Sequence, residues 1–135
     1  MSVRVATLSD IHHVVDLGER FVSAWGVNGF HRPDAMVFVE HLITEGRVFV
    51  TDGSVLAASV TPVPFNTVEM VAVEHFWWSE DSLGLRLVPV FEEWAFTVAD
   101  HIVFSTIDLD DRVGPFLERR GYRVRERCWT KRVGG

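Results

Sequence analysis

The chain has 135 residues, 47% of them hydrophobic with ten Phe and five Trp, and a formal net charge of −6. A chain of this size and apolar content builds a core without disulfide or metal, and its acidity disfavours nonspecific nucleic-acid binding and suits neutral or cationic partners. Cys128 is alone, the N-terminus lacks a leader pattern and no apolar run is long enough to cross a bilayer, which reads as a single cytoplasmic domain over residues 1–135 with no membrane segment.

Residues 2–6 (SVRVA) alternate as a short strand. Thr7, Ser9 and Asp10 supply N-cap chemistry, and Ile11, Val14, Val15, Leu17, Gly18 and Phe21 then recur at helical spacing until Trp25-Gly26-Val27-Asn28-Gly29 breaks the pattern. Pro33 opens a second helix carrying Met36, Val37, Val39, Leu42 and Ile43, which Gly46 stops. Two apolar strands, 47–51 and 54–63, flank Asp52-Gly53, a strong hairpin signal. Pro62 and Pro64 end the second strand or place it on an edge. A long strand, 67–78 (TVEMVAVEHFWW), leads into a helix over 82–99. Pro89 lies inside that helical pattern, so the helix should kink there or start late. A strand over 101–107, a short helix over 112–120 with Pro115 in its first turn, and a final strand over 122–133 complete the chain. The order is mixed α/β, with a largely antiparallel first half and a βαβ crossover in the second.

Four stretches, in this order, resemble the GNAT superfamily of acyl-CoA-dependent N-acetyltransferases. VRVATLSDIHHVVDLGERF is similar to its first strand and helix, and EHFWW to the strand before its cofactor loop in phage and bacterial members. GLRLVPVFEEWA resembles the cofactor-loop helix, and GPFLERRGYRVRERCWTKRV the last helix and strand. The resemblance implies a GNAT fold with a mixed, mostly antiparallel central sheet flanked by about four helices. It also implies acetyl-CoA as cosubstrate, held by the backbone of Phe76, Trp77, Trp78 and Ser79 and by the turn at Ser82, Leu83 and Gly84. Asp110 falls where the family often places a cofactor-contacting asparagine. In that frame Glu74 is the candidate general base for deprotonating a substrate amine, with burial raising its pKa; the competing reading is a carboxylate exposed on the sheet surface.

The chain departs from the family pattern at several positions. Ser79 stands at the loop's basic position and Ser82 at its first glycine, and the segment from Trp78 to Gly84 is short. Glu80 and Asp81 are expected in the first helical turn, where the dipole favours them but where they compete with pyrophosphate for the same amides. Leu117 occupies the place of the tyrosine that protonates the departing thiolate, and Asp110 adds a carboxylate beside the cofactor.

Other residues carry two readings each. His75 is expected to share a strand face with Trp77, lining a substrate cleft or simply packing, while Glu69 has the face parity opposite to Glu74. Trp77 and Trp78 should point to opposite faces, one in the core and the other in the core, a cleft or a homodimer contact. Cys128 reads as a small apolar strand residue. Arg123, Arg125 and Arg127 read as one solvated face of the same strand. The histidines lack metal-ligand spacing. Two functions stand against each other. One is acetyl transfer from acetyl-CoA to an amine of a small molecule or protein. The alternative is a catalytically degenerate GNAT-fold module that binds or inhibits a partner protein.

Overall fold

The computed structural model describes residues 2–106 and 112–134. Their contacts fall into two compact units, Met1–Ser105 and Thr106–Gly135. In the first, β1 (Arg4–Val5), α1 (Ile11–Trp25), α2 (Arg32–Glu45), β2 (Arg47–Val50), β3 (Ser54–Val63), β4 (Asn66–Ser79), α3 (Leu87–Val98) and β5 (His101–Val103) follow one another. The sheet order is β1-β2-β3-β4-β5, antiparallel throughout except for the parallel β4–β5 pair. The βαβ crossover expected in the second half is therefore β4-α3-β5.

Side-chain alternation sorts the strands into two faces. Val48, Val50, Val55 and Ala57 pack with Val14, Val15 and Leu17 of α1 and Val39 and Leu42 of α2. Phe49, one residue out of phase, turns to α3 and meets Phe91 and Trp94 at ring distances of 6.3 and 6.1 Å. Phe104 closes this second cluster against Phe91 at 5.4 Å and Trp77 at 5.6 Å. The sheet is thus covered on both faces, as its apolar strands require.

A β-bulge resets this alternation inside β4. Ala57 pairs with Phe76 and Ala58 with Glu74, so His75 is the extra residue. His75 and Phe76 consequently both lie toward α1 and α2, where His75 meets Phe38 edge-on at 5.7 Å and Phe76 meets Phe21 at 5.8 Å. Trp77 faces α3 instead, and Trp78 packs against the α1–α2 core. The two tryptophans do oppose each other, but His75 and Trp77 do not share a face as strict alternation predicts.

Three boundaries differ from the sequence-based expectation. The helix expected over 82–99 is a 3-10 turn, Gly84–Arg86, followed by α3 from Leu87. Pro89 is the third residue of α3, where its missing N–H would have had no intrahelical partner. The late start removes Glu80 and Asp81 from any helical turn. The fifth strand ends at Val103, because β5 leaves its partner there. In the second unit, α4 (Val113–Arg119) forms as expected and closes in a Schellman motif. Tyr122 N–H donates to Leu117 O at 3.1 Å and Gly121 N–H to Glu118 O at 3.0 Å, with Gly121 at φ 95°. Residues 122–133 carry no strand pairing, however, and Cys128 is exposed, not an apolar strand residue. Arg123, Arg125 and Arg127 are exposed as well.

Phe91 is fully buried at the centre of the aromatic cluster. Phe91→Ala is expected to lower unfolding stability by about 3–5 kcal/mol in urea titration; a loss under about 1 kcal/mol would mean that the α3 face is not a packed core.

Candidate active site

The parallel pairing of β4 with β5 covers only Val71, Ala72 and Val73, opposite His101, Ile102 and Val103. Beyond it the strands part. β4 continues to Ser79 against β3, and on the β5 side no described strand pairs with residues 74–79. The Glu74 carboxylate fills the start of this opening. It accepts the Ser105 N–H, two residues past the end of β5, at 2.9 Å.

Glu74 is 3% exposed. Burial pushes its pKa from 4.5 up to about 7, against the opposing effect of the Ser105 amide. The structure thus contradicts the competing picture of an exposed surface carboxylate. Sequence reasoning missed Ser105, because its role depends on the point at which two strands separate. On the opposite face His75 Nε2 lies 2.6 Å from Ser59 Oγ. Burial, then repulsion from His41, lowers the pKa of His75.

At the end of β4 two polar turns meet. The β2–β3 turn, Thr51-Asp52-Gly53-Ser54, and the β4–α3 turn, Ser79 to Gly84, lie together because Ser54 pairs with Ser79. Asp81 joins them. Its carboxylate accepts Thr51 Oγ1 at 2.7 Å, Gly53 N–H at 3.1 Å, Leu83 N–H at 2.9 Å and the Ser54 hydroxyl. Burial acts to raise the Asp81 pKa, yet these four donors outweigh it and hold the group below its ordinary value. Ser79 completes the knot through Ser54 Oγ at 2.9 Å and Asp81 O at 2.8 Å.

Glu80 points elsewhere. It accepts Arg20 Nε of α1 at 2.6 Å and Trp78 Nε1 at 2.9 Å, and Arg20 is the larger reason that its pKa falls. Both acids are thus partnered, but only Asp81 takes backbone amides of the kind an anionic ligand would use. That part of the expected competition is a contact within the protein. The signal was available: TDGS and SEDS are polar turns that an antiparallel β3–β4 alignment brings to one sheet end.

The other expected cofactor contacts divide in the same way. Phe76 is buried in the core, and Trp77 and Trp78 are half-buried with their indole N–H groups given to Gly84 O and Glu80. Neither is the exposed sheet tryptophan that a homodimer contact presupposes. Gly84 is needed for packing, since a Cβ there would lie 2.4 Å from both Cβ and Oγ of Ser79. Ser82 lines an open depression with Asp52, Glu80, Asp81 and Arg86. Asp110 lies outside the described residues.

No protein-family model matches the sequence, and no curated protein matches it. Solved structures do. A protein described as a probable acetyltransferase superposes with a TM-score of 0.76 at 12% identity, covering 100% of this chain and 99% of its own. The ribosomal-protein-alanine N-acetyltransferase of Brucella melitensis biovar Abortus 2308 gives 0.68 at 13% identity, with coverages of 98% and 99%. An aminoglycoside acetyltransferase from an uncultured soil metagenomic sample gives 0.69 at 13% identity, with coverages of 98% and 94%. The chain has the GNAT fold.

Two stability predictions follow from the carboxylates. Asp81→Ala orphans four donors, one of them on fully buried Ser54, and is expected to cost at least about 2 kcal/mol in urea unfolding. A neutral result would mean that the two turns are not tied through Asp81. For Glu74 the native carboxyl holds its proton more tightly than the unfolded one. Stability therefore falls as pH rises from 4.5 to about 7, by about 3 kcal/mol in total, and is level above that. Glu74→Gln should accordingly melt higher than the native chain at pH 8 and no higher at pH 4. Parallel melting profiles for the two would exclude a raised pKa.

Proposed function

We propose that the protein is an N-acetyltransferase that uses Glu74 as general base to move an acetyl group from an acetyl thioester, acetyl-CoA in the simplest case, to an amine. The observation that carries this reading is the buried Glu74 carboxylate, its pKa raised to about 7, at the closed end of the β4–β5 opening. A carboxylate in that range is half ionised near neutral pH, which suits a group that must take up a proton during turnover. The amine nitrogen attacks the thioester carbonyl, a C–N bond forms, the C–S bond breaks and the excess proton on nitrogen passes to Glu74 directly or through water. The thiolate takes its proton from water or another group, since Leu117 has none to give.

The β4 edge from Glu74 to Ser79, without a strand partner on the β5 side among the described residues, supports the donor assignment. Its backbone groups offer an amide-bearing arm the hydrogen bonds of an added strand. The net charge of −6 favours a cationic acceptor, a small molecule or a protein amine. A cytoplasmic setting accords with the lone Cys128, and among the described residues no helix is long and apolar enough to cross a membrane. One observation favours the second reading, a partner-binding module without turnover: Asp81 takes turn amides that an anionic cofactor would need.

The test is acetyl transfer from acetyl-CoA to a panel of aminoglycosides and peptides with free N-termini, read as CoA release. Glu74→Gln should reduce kcat/KM by about 10²–10⁴ while the variant stays folded. The wild-type rate should climb with pH to a plateau, with its midpoint near 7. A Gln variant with full activity would remove Glu74 from the mechanism. Absence of both transfer and acetyl-CoA binding at millimolar concentration would leave the binding-module reading.

A further inference from the structure

We infer that the acyl donor is recognised through its pantetheine arm alone and that the nucleotide diphosphate of CoA contributes no binding. This rests on the acetyl-transfer reading above and narrows its donor. A diphosphate is held by backbone amides and cations with an approach for its oxygens. At the end of β4 several such donors are already engaged. Two turn amides, Gly53 and Leu83, and two hydroxyls, Thr51 and Ser54, already converge on Asp81, so the cradle contains its own anion. The close approach that Gly84 would permit is filled by the Ser79 side chain. The depression beside the turn has Asp52, Glu80 and Asp81 on its wall against a single cation, Arg86. A diphosphate entering there meets three carboxylates in the lining, one of them paired with Arg20, and must displace another that holds four donors.

The arm's path has the opposite character. From Glu74 to Ser79 the β4 edge is free of a described strand partner on the β5 side and leads from the base to the turn. Pantetheine is uncharged and carries amides spaced along an extended chain, so it can pair with a strand edge without any contribution from the turn. Asp81, tying the β2–β3 turn to the β4–α3 turn, then fixes the end of that edge in place of a bound phosphate.

Calorimetric titration of the intact protein with acetyl-CoA, acetyl-pantetheine and adenosine 3′,5′-bisphosphate reads this directly. Acetyl-CoA and acetyl-pantetheine should bind within about threefold of each other, with no heat from the bisphosphate at millimolar concentration. Acetyl-CoA binding more than about tenfold tighter than acetyl-pantetheine, or saturable binding of the bisphosphate, would overturn the inference and leave the acetyltransferase reading intact. If neither thioester binds, both fall together. Asp81→Asn, if it retains a cooperative melt, should tighten acetyl-CoA by about fivefold or more without altering acetyl-pantetheine; an equal change in both would overturn the role given to Asp81.

Discussion

The hydrogen bond from the Ser105 amide to the Glu74 carboxylate lies just beyond the last β4–β5 pair, Val73 opposite Val103. Parallel strands hold together only while their backbone groups pair, and past this ladder it is a β4 side chain that takes a donor from the β5 side. The ladder ends after three residue pairs. Beyond lies an opening, with a β4 edge that has no partner strand among the described residues on one side and a buried acid at its apex. The bulge at His75 supports the same arrangement from the β3 side. It keeps Glu74 on the α3 face while sending His75 and Phe76 together toward α1 and α2. Under strict alternation, with His75 paired and not bulged, Phe76 would share a face with Glu74, and the α1–α2 core would lose one of its aromatic rings.

The far end of the opening is fixed by a different kind of interaction. Asp81 is a short side chain that reaches across to the neighbouring turn, and each of its oxygens takes two donors. Charge-assisted hydrogen bonds of this sort exceed neutral ones in strength. They order the β4–α3 turn before any ligand arrives, which reduces the need for an anion to organise it. A turn that has to bind diphosphate keeps such donors free. The two turns thus form a wall that Asp81 orders from within.

Much of this architecture was legible in the residues. Asp52-Gly53 between two apolar runs specified the β2–β3 hairpin, and Pro33 and Gly46 bracketed α2 within a residue of its observed ends. The GNAT frame was carried by framework stretches whose apolar periodicity tertiary packing had no reason to override. What escaped depends on pairing between distant segments. The bulge has no local signature, because Glu74-His75-Phe76 alternates as well as any strand. The Ser105 amide finds its acceptor 31 residues away. Residues 122–133 alternate like a strand, yet alternation states only that a strand could form there, not that a partner is presented. The role of Asp81 needed the register Ser54 to Ser79, which joins two turns that are far apart in sequence.

Glu74 and Asp81, seven residues apart on one strand and its turn, are driven in opposite directions. Burial with a single amide partner leaves Glu74 near neutrality, while four donors keep Asp81 ionised. Separated titration of neighbouring carboxylates is a mark of divided labour. It also bears on the choice between enzyme and silent binding module. Keeping a carboxylic acid in the position of Glu74 costs about 3 kcal/mol above pH 7 relative to a group that never ionises. A glutamine would accept the Ser105 N–H through its carbonyl and never ionise, although its buried NH2 would need acceptors of its own. The proposed proton uptake from an amine would give an acid there a use that a glutamine could not serve.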